Sequence, residues 1–220
     1  MLYTERSLEQ ALKNGTFTLS PTDRFTPSAR DLLERRGIHA TAKKPEHMTH
    51  LRPGELVPKT HDRIAFRGKL DSLEGVILLG MKEIGAPIPV LEQVLQLCRQ
   101  LMRCDVLGEA VPELCLHGMS AEEIHHRSHN PKKYYGTPHI LPSAEDSRVL
   151  LYLNYIRTQI RETELSSYKA FPKRTDIHTA LNRLSSLLWI LCLEEREKEG
   201  KEGPTWTGSL KRSPTDYSSN

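Results

Sequence analysis

An all-α fold, a five-helix bundle behind an irregular N-terminal segment, is predicted by three features of this 220-residue sequence. Apolar residues recur every three or four positions over several long stretches, which is the period of a half-buried helix. No stretch shows a convincing alternation of apolar and polar residues. Helix-stopping residues gather near the start, at Gly15, Pro21, Pro27, Gly37, Pro45, Pro53, Gly54 and Pro58, so residues 1–60 admit only short elements.

The first such element is a short helix over about 28–36, where Thr26 can cap, Pro27 suits the first helical position and Gly37 ends the run. Ile64, Phe66, Leu70, Leu73, Ile77, Leu78 and Met81 then mark an amphipathic helix over about 63–84, stopped by Gly85-Ala86-Pro87. Val90, Leu91, Val94, Leu95, Leu97, Leu101 and Met102 mark a second, ending at Gly108. Ser120 and Glu123 have the spacing of a capping box and open a short third. The longest helix is expected over 143–169, from a Ser143 cap with Glu145 and Asp146 in its first turn to a stop before Pro172, and the last over 175–199. The expected organisation is therefore an N-terminal segment (1–60), a helical-bundle domain (61–199) and a polar, disordered tail (200–220), with no internal repeat.

Composition narrows the function. Hydrophobic residues make up 37% and aromatics 6%, with 31 basic and 28 acidic side chains interspersed for a net charge of +3. Such a balance argues against a general nucleic-acid binder, although a basic surplus confined to one pocket suits a phosphate-bearing ligand. The four cysteines, Cys98, Cys104, Cys115 and Cys192, form no paired motif, as expected in a reducing compartment. With no signal-peptide pattern at the start and no membrane-length apolar run, a cytoplasmic location is expected.

Four places could carry chemistry. On the long helix, Val149, Tyr152, Leu153, Ile156 and Ile160 form the apolar stripe, while Asn154, Arg157, Arg161, Glu164 and Tyr168 share another face. Arginines one turn apart repel by a few tenths of about a kcal/mol, a cost that a phosphate between them removes; a solvated face neutralised by Glu162 and Glu164 is the plainer alternative. On the last helix, Asn182 and Ser186 lie beside the core stripe of Ile177, Leu181, Leu184 and Leu188, where the amide needs a partner from a ligand or a neighbouring helix. Lys59 and Arg63 flank a helix start, a natural anion site, and Asp62 could cap that helix. His125 and His129 share a face at a metal-compatible spacing, but hydrogen bonding is the simpler role for them.

Three ordered segments resemble the cobalamin adenosyltransferase superfamily. Lys59 to Asp71 resembles its Lys-x-Asp-Pro-Arg-x-x-x-x-Gly-x-x-Asp helix start, Arg157 to Glu164 its Arg-Thr-x-x-Arg-x-x-Glu helix, and Leu181 to Ser185 its Leu-Asn-Arg-Leu-Ser helix. Phe25 to Arg30, Lys43 to Leu51, Met102 to Glu109 and His125 to Pro131 are similar to the ethanolamine-utilisation branch, and the likeness runs over about 20–190.

The resemblance implies an ATP:cob(I)alamin adenosyltransferase that moves the 5′-deoxyadenosyl group of ATP onto reduced cobalt. It implies that Arg157 and Arg161 act in catalysis and, with Asn182, bind ATP. Lys59, Asp62 and Arg63 assist at the phosphates, and Glu164 orients an arginine or the nucleotide. Mg2+ is expected with ATP. A homotrimer is implied, with ethanolamine ammonia-lyase or its reactivating machinery as a partner, in the cytosol or a bacterial microcompartment.

The sequence also departs from its relatives. The glycine-rich phosphate loop of the better-known branch has no counterpart, and His61 occupies the slot of the usual aspartate, with Asp62 one place on. Where some members of the ethanolamine branch carry a histidine and clustered cysteines, only Ile38-His39-Ala40-Thr41-Ala42 stands, so no Fe or Zn site is expected. The competing reading is a non-catalytic corrinoid-binding or delivery protein.

Overall fold

The computed structural model describes residues 1–20, 23–38, 45–85 and 88–200. The chain divides into two compact units, Met1–Ile64 and Ala65–Asn220. The expected polar tail after Gly200 and the cysteine-free stretch His39 to Ala42 lie outside the described residues.

In the N-terminal unit, β1 (Leu2–Tyr3) precedes α1 (Glu5–Lys13), and β2 (Arg24–Phe25) pairs in parallel with β1. Helix α1 was not expected from the sequence. It exists because Thr4 and Ser7 cap it reciprocally, each side chain meeting the other's backbone N–H at 3.3 and 2.9 Å. Leu8 is then buried on its inner face. Helix α2 (Pro27–Arg35) follows with Thr26 accepting from the Ala29 N–H and Pro27 in the first turn, as expected. Leu8, Ala29, Leu32 and Leu33 form a small core, sealed by Tyr3 stacked on Phe25 at 5.5 Å.

The segment next in sequence corrects the reading that no strand would form. β3 (Met48–Arg52) and β4 (Glu55–Pro58) make an antiparallel hairpin. Its turn is Pro53-Gly54, in which Gly54 adopts φ 79°, a backbone conformation that only a residue without a Cβ takes at no cost. The hairpin escapes a period-based reading because each strand is only four or five residues long.

The larger unit is helical. It is built from α3 (Asp62–Ile84), whose first turn belongs to the N-terminal unit, and α4 (Pro89–Leu107), followed by the short antiparallel pair β5 (Cys115–Leu116) and β6 (Met119–Ser120). Then come α5 (Ala121–His129), the single turn α6 (Pro131–Tyr135), α7 (Arg148–Ala170) and α8 (Thr175–Glu199). The expected capping box opens α5, with Ser120 and Glu123 bonded at 3.2 and 2.8 Å. Among the described residues the helices number eight: the five bundle helices of the sequence reading are α3, α4, α5, α7 and α8, the expected short N-terminal helix is α2, and the additions are α1 and α6.

The start of α7 is a second correction. Its cap is Ser147, which accepts from the Leu150 N–H at 3.2 Å, while the Ser143 N–H donates to Asp146 Oδ2 at 2.7 Å in a tight turn. Asp146 is thereby turned inward instead of standing in the first helical turn.

Periodic stripes close the core. Phe66, Leu70, Leu73 and Ile77 of α3 meet Leu153, Ile156 and Ile160 of α7 and Leu181, Leu184 and Leu188 of α8, all buried. Each such side chain contributes about 1.5–3 kcal/mol of transfer free energy. At Gly80 of α3 the side chain of Ile156 from α7 packs so near that an added Cβ would stand 3.0 Å from its Cδ1. The short 171–174 link makes α7 and α8 antiparallel neighbours, so residues of the two expected site helices face each other in fixed register. No described helix is long and apolar enough to cross a membrane.

Candidate functional site

The α7–α8 seam holds the polar residues that sequence singled out. Arg157 is half-buried and donates from Nε and Nη2 to Asn154 Oδ1 at 3.0 and 2.8 Å. Its guanidinium carbon lies 5.6 Å from the centre of the Trp189 ring, a cation–π distance. Burial pulls the Arg157 pKa down, countered by Cys192 and reinforced by the charge of Arg161. An arginine remains charged under these conditions. The site therefore holds a partly desolvated cation whose only side-chain hydrogen-bond acceptor among the described residues is a neutral amide.

Arg161, one turn further on, is exposed and makes no hydrogen bond or ion pair among the described residues. The two carboxylates that could have neutralised this face are engaged elsewhere. Glu162 accepts from Lys69 Nζ of α3 at 2.8 Å, and Glu164 is buried and accepts from Asn182 Nδ2 of α8 at 3.0 Å. Among the described residues neither carboxylate forms an ion pair with Arg157 or Arg161.

Asn182 is clamped at both ends, since its Oδ1 accepts from Arg183 Nη1 at 2.8 Å. Glu164 was expected to orient an arginine or the nucleotide; its hydrogen-bond partner here is the amide of Asn182. The reason lies in register, because α7 and α8 are antiparallel and place Glu164 opposite Asn182 and Arg157 opposite Trp189. Tyr168, placed by sequence on the same face, packs its ring against His178 at 4.1 Å.

At the other expected location, Lys59 is exposed where β4 gives way to α3, and its N–H is held by the His47 carbonyl at 2.8 Å. Asp62 is exposed in the first turn of α3, favourably placed for the helix dipole. The cap expected of Asp62 belongs to its neighbour: His61 Nδ1 accepts the Arg63 N–H at 3.2 Å. The shift follows from the sequence, in which His61 stands one place earlier, at the boundary of the helix. Lys59, Asp62 and Arg63 are thus gathered at one helix start, and Arg157, Arg161, Glu164 and Asn182 along one seam.

Sequence reasoning missed Trp189 and Arg183 as parts of the seam. Trp189 is seven residues after Asn182, two turns along the same face of α8, and Arg183 is the central residue of the Leu-Asn-Arg-Leu-Ser stretch; both signals were legible. The indole N–H of Trp189 is buried without a hydrogen-bond partner among the described residues, which is uncommon for a purely structural tryptophan. At the expected histidine pair, His125 and His129 lie 4.2 Å apart by ring centres, and His129 Nδ1 is 2.9 Å from the His125 carbonyl. The positive charge of Arg183 is the main cause that lowers the His125 pKa. Among the described residues no three His, Cys, Asp or Glu side chains converge as metal ligands.

A family model described as cobalamin adenosyltransferase matches residues 39–195, a span containing all seven expected site residues. The corrinoid adenosyltransferase EutT of Escherichia coli K12 is 35% identical over 159 residues, covering 69% of this chain. The aligned part spans 60% of that relative's length. EutT of Salmonella typhimurium LT2 is 33% identical, with 83% of this chain and 86% of that protein covered. With the match running through the arginine helix, the asparagine helix and the core that holds them in register, this chain belongs to the cobalamin adenosyltransferase family.

Proposed function

We propose that this chain is an ATP:corrinoid adenosyltransferase of the ethanolamine-utilisation type, forming adenosylcobalamin for ethanolamine ammonia-lyase. The observation that carries the proposal is the charge state of the α7 face. Arg157 and Arg161 stand one turn apart while both neighbouring carboxylates are committed to Lys69 and Asn182. Such a pair is arranged for an anion with several oxygens, and the triphosphate of ATP has that chemistry.

In the reaction, cobalt(I) supplies the electron pair of the new cobalt–carbon bond at C5′. The C5′–oxygen bond breaks, and its electron pair leaves on the triphosphate. Arg157 and Arg161 bind the leaving group and stabilise the charge that develops on it. Asn182, held by Glu164 and Arg183, offers an amide of fixed orientation to the nucleotide. Lys59 and Arg63 add positive charge for the phosphates, and Asp62 sits with them at the start of α3. Mg2+ accompanies the triphosphate, and no protein carboxylate is assigned to it. No Fe or Zn is required. The working form is a homotrimer in the cytosol or inside a microcompartment, without nucleic-acid or membrane partners.

The test is an anaerobic assay with ATP, Mg2+ and chemically reduced cobalamin, read by the spectrum of adenosylcobalamin. Turnover by the wild type, reduced at least 100-fold in Arg161→Ala, is expected. Corrinoid binding without turnover by the wild type would sink the enzyme reading in favour of a delivery protein.

A further inference from the structure

Outside the α7–α8 seam, the helical unit carries a second cationic feature. Between Glu123 and Glu145 the sequence contains no acidic residue, yet it includes Arg127, Lys132, Lys133 and four histidines. The fold turns this stretch into a pocket of about 650 Å³ lined by His129, Asn130, Lys132, Lys133 and His139. Lys132, Lys133 and His139 are exposed, and neither lysine has a carboxylate partner among the described residues. No lining residue is acidic.

This pocket connects to the seam through one side chain. The His139 ring stacks on Trp189, with centres 5.8 Å apart and planes 25° apart. The same indole packs against the Arg157 guanidinium. Trp189 therefore touches both the arginine assigned to the triphosphate and the wall of the cationic pocket.

We propose that this pocket binds the phosphodiester-bearing nucleotide tail of the corrinoid, with Lys132 and Lys133 holding the phosphate. The assignment rests on the adenosyltransferase reading. The volume lies within the range of small-molecule sites and exceeds what a lone phosphate needs. ATP shares the phosphate chemistry, but its triphosphate already has the arginine pair. A corrinoid whose cobalt reaches C5′ must lie beside those arginines, and its tail leaves the ring edge carrying one negative charge. A lysine pair without competing carboxylates, one indole away from Arg157, suits that charge.

The experiment compares cob(I)alamin with cob(I)inamide, which lacks the nucleotide tail and its phosphodiester, using the wild type and the double variants Lys132→Gln/Lys133→Gln and Lys132→Arg/Lys133→Arg. Both positions are exposed, so the fold is kept, as circular dichroism will show. The glutamine variant is expected to raise KM for cob(I)alamin about fivefold, the loss of two exposed charge contacts, with KM for cob(I)inamide and for ATP unchanged. The arginine variant restores the KM for cob(I)alamin. An equal rise for both corrinoids, a rise for ATP instead, or no change in any KM overturns the assignment. If the wild type converts neither corrinoid, the failure belongs to the adenosyltransferase reading itself.

Discussion

Replacing Asp146 by alanine tests how the register between α7 and α8 is held. Arg196 of α8 places Nη2 2.7 Å from Asp146 Oδ1, with both side chains 3% exposed. The approach is an ion pair rather than an aligned hydrogen bond, for Arg196 Nε, Nη1 and Nη2 have no hydrogen-bond acceptor among the described residues. Asp146 is thus the counter-charge, among the described residues, of a guanidinium that water does not reach. Removing it leaves a buried, uncompensated charge, at about 3–5 kcal/mol, and the loss of the Ser143 N–H bond adds about 1 kcal/mol. A chain of this size should lose roughly 8–24 °C in Tm. The double variant Asp146→Ala/Arg196→Met removes both charges and should recover all but about 1–2 kcal/mol. Urea unfolding of the wild type, both single variants and the double variant supplies the cycle. Simple additivity, with a coupling below about 0.5 kcal/mol, would refute the reasoning, because an indifferent pair shows no coupling.

Two further outcomes follow from other titratable groups. The hydrogen bond from Arg174 holds the Asp176 carboxyl well below the usual carboxylate range, assisted by the Val111 N–H. A depressed folded-state pKa stabilises the fold above the unfolded value of about 4, and that contribution is lost as pH falls through the folded value. Asp176→Asn should therefore unfold more readily than the wild type at pH 7, with the gap closing below about pH 4; a constant gap in pH-dependent thermal scans would count against the pairing. Among the thiols, burial pushes Cys98 and Cys192 up to about 12, and Cys104 is also buried while Cys115 is exposed. Ellman's reagent at pH 8 should titrate one thiol quickly in the native protein and the other three only on unfolding.

The helical class and the boundaries of α3, α4 and α8 were legible in the sequence because a stripe repeated every three or four residues has one way to bury itself. The capping box before α5 was equally local, and so were the segments that reveal the family. The start of α7 was not, because Ser143 and Ser147 are both competent caps. The choice between them depends on Asp146 turning inward to meet Arg196, fifty residues further on. The β3–β4 hairpin and α1 were hidden by shortness, their stability coming from a turn and a reciprocal cap rather than from periodicity.

At the candidate site, sequence alone determined which residues share a helical face: Arg157, Arg161 and Glu164 on one helix, and Asn182 on the other. It left two meanings open for that face, a solvated surface or an anion site. Only the tertiary structure decided where the carboxylates point, sending Glu162 to Lys69 and Glu164 to Asn182 and leaving the arginines charged. The physical reason is that spacing along one helix sets angular position, whereas charge compensation is settled by the neighbouring helix, whose register is the sum of many packing contacts and appears in no single segment.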